Sequence, residues 1–387
     1  MRCLNLHETI KITLAPHPDI ELNTERSEIE AFITLPEEGV NSETGVIMVI
    51  PGLGEYGNSD YHASQLRPYL ANKLNCIAVG VNYFGIFRNG QIQIRPSFLH
   101  NINRIYGLNL SFESFADAQG AVDVYRKIAE AVLSRGVTSL DLRCQPHLLT
   151  GRDEYQSWGF LPAIDCLQVL GEILQRYDLN QRKIIACGKH YGAYVAMLMG
   201  KYAPHSFSAI VDQEGHCRTI LKHVVSGELM EADYMFSFTI NDDLSFYIAS
   251  TCNNPWTIED ETSLVYFSDN HRKIRSLLYE GHRIPSETRY HIFHPEESPS
   301  IADKDCCVEI LERYNFVNYH RVKDGGPISF DSDQDLFDWL VKNDDIGMQK
   351  SSADTDFSLN KIHEFACGDK SYRFEYNENG KIQVTME

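Results

Sequence analysis

Lys183-Ile184-Ile185-Ala186-Cys187-Gly188-Lys189-His190-Tyr191-Gly192-Ala193 is the stretch that decides the fold. Its first half is a short apolar run with β-branched residues, the pattern of a strand covered on both faces. Gly188 and Gly192 then bracket three residues. Glycine permits tight turning and close backbone approach, so a sharp reversal is expected here, with His190 at its middle. Residues 193–202 follow as a helix of small and apolar side chains, closed by Pro204.

The same alternation extends outward in both directions. Residues 157–177 place Phe160, Ile164, Leu167, Leu170 and Leu174 at helical intervals, and residues 178–181 form a polar break. Further upstream, Val46-Ile47-Met48-Val49-Ile50 runs into Pro51-Gly52-Leu53-Gly54, and Cys76-Ile77-Ala78-Val79-Gly80-Val81 into Asn82-Tyr83. Between them, residues 60–74 carry Leu66, Tyr69, Leu70 and Leu74 on one side. Strand, helix, strand at this length predicts parallel pairing with a right-handed crossover. Downstream, residues 209–212, 263–267, 289–293 and 316–322 read as strands, the last closing the series, and residues 335–342 as a final helix. The whole predicts an α/β protein with a doubly wound, mostly parallel sheet.

Two segments break the repeat. Residues 86–154 are far longer than an ordinary connection and contain a helical pattern at 115–133. Residues 215–262 are rich in aromatics and acids, among them Tyr234, Phe236, Phe238, Phe246 and Tyr247. Both follow strand ends, where open α/β sheets place their sites, and both read as cap segments inserted in a domain spanning 1–348. After the polar break at 349–354, residues 370–374 and 381–385 alternate around Asn377-Glu378-Asn379-Gly380. That is a hairpin signal, so residues 349–387 read as a small C-terminal β appendage.

The totals exclude several roles. A formal net charge of -19 over 387 residues argues against nucleic acid and anionic membrane surfaces as partners. No apolar run is long enough to cross a bilayer, and the N-terminus lacks a signal-peptide core, so a cytoplasmic protein is expected. Ten cysteines are scattered without a Cys-x-x-Cys pair, which predicts reduced thiols and neither a disulfide framework nor a structural zinc site on cysteine spacing. No cofactor and no metal is expected. His205, His223, His282 and His363 read as surface or packing residues, and Glu228, Glu231 and Asp233 as solvated acids.

A strand running into Gly-x-x-x-Gly and a helix resembles the nucleophile elbow of the α/β-hydrolase superfamily, in the neighbourhood of esterases and prolyl-oligopeptidase-type peptidases. The resemblance covers residues 40–342 and implies an α/β-hydrolase fold. Val81-Asn82-Tyr83-Phe84, Glu154-Tyr155-Gln156-Ser157-Trp158-Gly159-Phe160 and Lys201-Tyr202-Ala203-Pro204 also resemble an uncharacterised bacterial family, a domain-of-unknown-function group found near flagellin glycosylation genes.

The superfamily resemblance implies a catalytic constellation, and the chain departs from it. The nucleophile position holds His190 in place of serine. The loop from Pro51 to Gly57 falls where an oxyanion loop belongs, with Gly52, Leu53 and Gly54 supplying it and Tyr191 the second donor. An acid belongs after the penultimate strand, where Glu296 and Glu297 stand, with Asp303 a weaker candidate. The base belongs in the loop after the last strand, which reads Lys323-Asp324-Gly325-Gly326-Pro327-Ile328 and has no histidine. His320 lies inside the strand. Were residues 289–293 the last strand instead, Asp269 and His294 would take the acid and base positions.

His190 therefore admits three readings. It is a direct nucleophile, or a base or metal ligand meeting His216, Glu214 or Glu55, or the mark of a degenerate site. The third is favoured, because triad members act as a unit and two are missing. The resulting expectation is a non-catalytic or atypical protein that binds a small molecule, glycan or protein, with a link to surface glycan or flagellin modification. The alternative is an esterase or acyl transferase using His190 with a carboxylate. The oligomeric state is left open.

Overall fold

The computed structural model describes residues 9–53, 55–86, 91–93, 96–118, 121–137, 143–144, 147–149, 154–224, 234–241, 244–252, 255–323, 326 and 328–387. The chain divides into two compact units, one of residues 1–84, 157–219 and 267–387, the other of residues 85–156 and 220–266.

The first unit is built on one sheet. Its strands are β1 (Ile10–Leu14), β2 (Ile29–Thr34), β3 (Gly45–Ile50), β4 (Cys76–Asn82), β5 (Ile184–Lys189), β6 (Ala209–Gln213), β7 (Arg289–Pro295) and β8 (Phe316–Val322). They lie in the order β1-β2-β4-β3-β5-β6-β7-β8. Pairing is antiparallel for β1 with β2 and β2 with β4, and parallel from β4 onward. Every residue of β3 and β4 is buried, as their unbroken apolar runs require.

Helices cover the sheet. They are α1 (Arg67–Leu74), entered through a π-turn at His62–Leu66, then α2 (Phe160–Arg176), α3 (Tyr191–Tyr202), α4 (Asp269–Arg275), α5 (Ile301–Leu311) and α6 (Asp333–Asn343). All twelve residues of α3 are buried, which accounts for its small-residue composition. This is the α/β-hydrolase fold, a doubly wound and mostly parallel sheet with a tight strand–turn–helix after its fifth strand.

Residues beyond the sheet form three antiparallel strands, β9 (Ile362–Ala366), β10 (Ser371–Tyr376) and β11 (Ile382–Met386). They pack on the outer side of α2 and α3: Phe160 meets Tyr372 and Phe374, and Tyr202 stacks on Phe374 at 4.6 Å. Gly171 of α2 touches the β10–β11 turn so closely that a Cβ there would strike the Gly380 carbonyl. Hence α2 is apolar nearly all round.

The second unit has its own small core. Helices Pro96–Tyr106 and Ala121–Leu133 bury Leu99, Ile102, Ile128, Ala129 and Val132 together. Strands Tyr234–Asn241 and Leu244–Cys252 pair antiparallel. The Trp256 indole N–H donates to the Gln156 carbonyl at 2.9 Å, and its ring meets Tyr155 edge-on.

Three sequence expectations are corrected. Residues 263–267 form turns with a single bridge between Thr257 and Tyr266, because Leu264 is 95% exposed and has no sheet to join. The helix expected at 115–133 starts at Ala121, after a separate one-turn helix at Phe112–Phe115. Residues 289–293 lie in β7 and β8 follows them, so the shifted assignment of Asp269 and His294 fails: Asp269 opens α4, and His294 is buried within β7 against Ser300. Glu228, Glu231 and Asp233 lie outside the described residues. No helix of the described residues is long and apolar enough to cross a membrane.

Candidate functional site

The turn between β5 and α3 has the backbone of an elbow. His190 sits at φ 49° and ψ -113°, a region that strains a residue with a Cβ. Both bracketing glycines are required. A Cβ on Gly188 would strike the backbone of Gly192, and one on Gly192 would strike the Ile50 carbonyl of β3. The His190 N–H donates to the Gln213 carbonyl at 2.8 Å, which ties the turn to the end of β6.

The His190 side chain projects outward and is 60% exposed. Its Nδ1 lies 3.5 Å from Glu214 Oε2, an ion-pair distance longer than a good hydrogen bond. Glu214 is itself in the left-handed region, at φ 58°, and is held there by its N–H donating to the Phe293 carbonyl at 2.8 Å. Of the three partners the sequence offers His190, namely His216, Glu214 and Glu55, Glu214 is the carboxylate that meets it. Glu296 and Glu297 stand exposed beyond β7, and neither side chain makes an ion pair among the described residues.

The loop after β3 is rigidly anchored. Buried Arg67 donates to the Gly57 carbonyl and, at 2.8 Å, to Asn58 Oδ1. The Asn82 side chain accepts from the Gly57 N–H at 2.8 Å, and Tyr83 donates to the Pro51 carbonyl at 2.8 Å. Gly52 is buried and Leu53 half-buried; Gly54 lies outside the described residues. Within this loop the Gly52 N–H donates to Glu55 Oε2 at 2.9 Å. The Gly52 N–H, in the loop the sequence offers as an oxyanion loop, is thus already held by a carboxylate of the chain itself.

Tyr191 is the first residue of α3. Its ring is buried beside Tyr83 and Tyr194, and its hydroxyl accepts from the Gly159 N–H at 2.8 Å.

A cleft of about 420 Å³ opens at the carboxyl ends of these strands, between Glu55, Lys189 and Glu214 on one side and Asp331, Ser332 and Asp333 on the other. Tyr61, Phe293 and Phe330 add aromatic wall. Four carboxylates against one lysine make it acidic. Adjoining it, a recess of about 60 Å³ is lined by His62, Glu55, Asp333 and Gly188. His62 lies buried with Nε2 3.8 Å from Glu55 Oε2, and its Nδ1 has no hydrogen-bond partner among the described residues. Burial lowers its pKa below the ordinary 6.5, against the opposing pull of Glu55, so the imidazole is neutral at neutral pH. Tyr61 donates to Asp333 Oδ2 at 2.7 Å, and burial with that contact raises the phenol's pKa.

The loop after β8, where a base is expected, has no histidine in its sequence. Of that loop, Asp324, Gly325 and Pro327 lie outside the described residues. The histidine that lines the site comes instead from the π-turn before α1. No motif marks His62, and only the fold carries it to the strand ends.

Fold and site together define an α/β-hydrolase-fold protein with a histidine elbow. The chain belongs to the family described as protein of unknown function (DUF2920), whose model matches residues 11–316. No curated protein matches it. Among solved structures it is similar to an acylaminoacyl peptidase complexed with Z-Gly-Gly-Phe-chloromethyl ketone, at 12% identity and a TM-score of 0.46 over 88% of this chain and 41% of that one. It is similar to the Pyrococcus horikoshii acylaminoacyl peptidase at 13% identity and a TM-score of 0.45, covering 89% and 42%. It is also similar to an S-formylglutathione hydrolase from Agrobacterium tumefaciens, at 12% identity and a TM-score of 0.40, covering 81% and 86%. The chain thus spans less than half the length of the two peptidases.

Proposed function

We propose that this chain is a non-catalytic or atypical member of its fold class that uses the cleft to bind a ligand rich in hydroxyl or amine groups. A glycan or amino sugar fits best among the small-molecule, glycan and protein ligands the sequence leaves open. One observation carries the reading: beside a histidine elbow, the Glu55 carboxylate occupies the Gly52 N–H. An oxyanion forming there would meet negative charge where acyl transfer needs a free donor. Carboxylates at Glu55, Glu214, Asp331 and Asp333 accept from hydroxyls and ammonium groups, and Tyr61 and Phe330 offer faces for apolar sugar edges. The resemblance to a family found near flagellin glycosylation genes supports surface glycan modification as the setting.

Thermal-shift and calorimetric titration with neutral, amino and acidic monosaccharides tests it. Binding of neutral or amino sugars, weakened in Asp333→Asn, supports the reading. Absence of any sugar binding, or a preference for acidic sugars, counts against it.

A second reading rests on the 3.5 Å contact of His190 with Glu214. An imidazole beside a carboxylate can act as a general base, the arrangement an atypical esterase or acyl transferase would use. Ester turnover that disappears in both His190→Ala and Glu214→Gln would establish it.

A further inference from the structure

Away from the cleft, three chain segments bring metal-binding side chains together. His205 lies in the turn after α3, Asp356 in the segment leading to β9, and His363 within β9. One ligand atom from each lies within 4.8 Å of the others. His363 Nε2 is 2.6 Å from Asp356 Oδ1.

The second carboxylate oxygen of Asp356 is fixed from behind. It accepts from the His205 N–H at 2.9 Å and from the Ser206 hydroxyl at 2.8 Å. These donors orient the carboxylate and leave Oδ1 to the histidines, the outer-shell support that metal ligands ordinarily have. The His205 ring is half-buried and carries no hydrogen bond among the described residues.

We propose that His205, Asp356 and His363 bind one divalent transition-metal ion, with zinc the fitting occupant, which fastens the C-terminal sheet to the turn after α3. Two imidazoles and a carboxylate suit zinc, and water completes the coordination on the exposed side of His205. Zinc bonds of about 2.0–2.2 Å place tetrahedral donor atoms roughly 3.3 Å apart. The His205 ring must therefore close in slightly and the His363–Asp356 contact open slightly. Any proton shared by that pair leaves as the metal enters.

Two cations oppose the ion. Lys361 and Lys350 both act on His205 through charge. Lys350 Nζ donates to the carbonyls of His205, at 2.6 Å, and Asp354, at 2.7 Å.

The test uses the full chain, stripped with a chelator and carrying Cys306→Ser to remove the exposed thiol. Zinc is titrated by calorimetry, and cobalt(II) is followed by its visible ligand-field absorption. One equivalent is expected, with a rise in Tm, since the ion binds the folded chain. His205→Gln, whose side chain has no bond to lose, should weaken binding by about tenfold or more while leaving the metal-free Tm unchanged. His363→Gln should do the same to binding and also lower the metal-free Tm. His190→Ala should change neither. No stoichiometric binding, or binding undiminished in His205→Gln, would overturn the proposal.

Discussion

The Glu55 carboxylate and the Gly52 N–H are hydrogen-bonded at 2.9 Å, within the loop that faces the elbow. This contact sets a limit on what one substitution at the elbow can restore. His190→Ser would supply a hydroxyl but neither a base nor a free oxyanion donor. We expect no fluorophosphonate labelling of His190→Ser above background, read by mass spectrometry of the intact protein. Labelling at rates typical of serine hydrolases would show that Glu55 does not obstruct the loop.

His190 is held at φ 49° and ψ -113° by its N–H bond to Gln213 and by the packing of Gly192 against β3. Strain of this kind costs on the order of 1–3 kcal/mol in a residue with a Cβ. Glycine relieves it but gains freedom when unfolded, so His190→Gly should stabilise by about 1 kcal/mol. A urea melt checks it. A net loss of stability would mean that the imidazole contributes contacts beyond Glu214.

Much of this was legible in the sequence. Apolar runs at β3, β4 and β5 and the two elbow glycines have one physical reading, and the structure follows it. The edge strand β1 and its neighbour β2 escaped notice because Ile10–Leu14 and Ile29–Thr34 are short and mixed in polarity. The third appendage strand, β9, was missed for a similar reason: its buried His363 and Phe365 alternate with exposed residues across only five positions. The site was less legible than the fold. That His190 stands at the elbow follows from spacing. That Glu214, of the three partners open to it, is the one that meets His190, that Glu55 caps Gly52 and that His62 lines the recess depend on where strand ends converge, which no local pattern records.

Two buried histidines make stability depend on pH. Burial and the nearby Lys304 ammonium push the pKa of His294 down to about 4, and burial with Lys201 pushes that of His282 down to about 3. The unfolded chain binds these protons near the ordinary 6.5, so between that pH and about 4 it holds more protons than the folded chain. Stability should therefore fall as pH drops through this window, by up to about 1.4 kcal/mol per pH unit for each histidine. Urea melts from pH 7 to pH 4.5 measure the slope, and His294→Gln should reduce it. An unchanged slope in that variant would remove His294 from the account.

Lys304 and Asp212 form an ion pair at 2.6 Å with both side chains fully buried, and Asp212 also accepts from the Gly215 N–H at 2.7 Å. Removing the ammonium alone leaves a buried carboxylate uncompensated, so Lys304→Met should cost about 3–5 kcal/mol. Adding Asp212→Asn should recover part of that loss. Additive losses in a double-mutant cycle would contradict the pairing.

The central claim is that the elbow no longer performs acyl chemistry. The most direct measurement is turnover of short-chain acyl esters by the purified protein, compared with His190→Ala at equal concentration. The account predicts that both hydrolyse at the rate of buffer alone. Turnover proportional to protein concentration, and lost in His190→Ala, would contradict it.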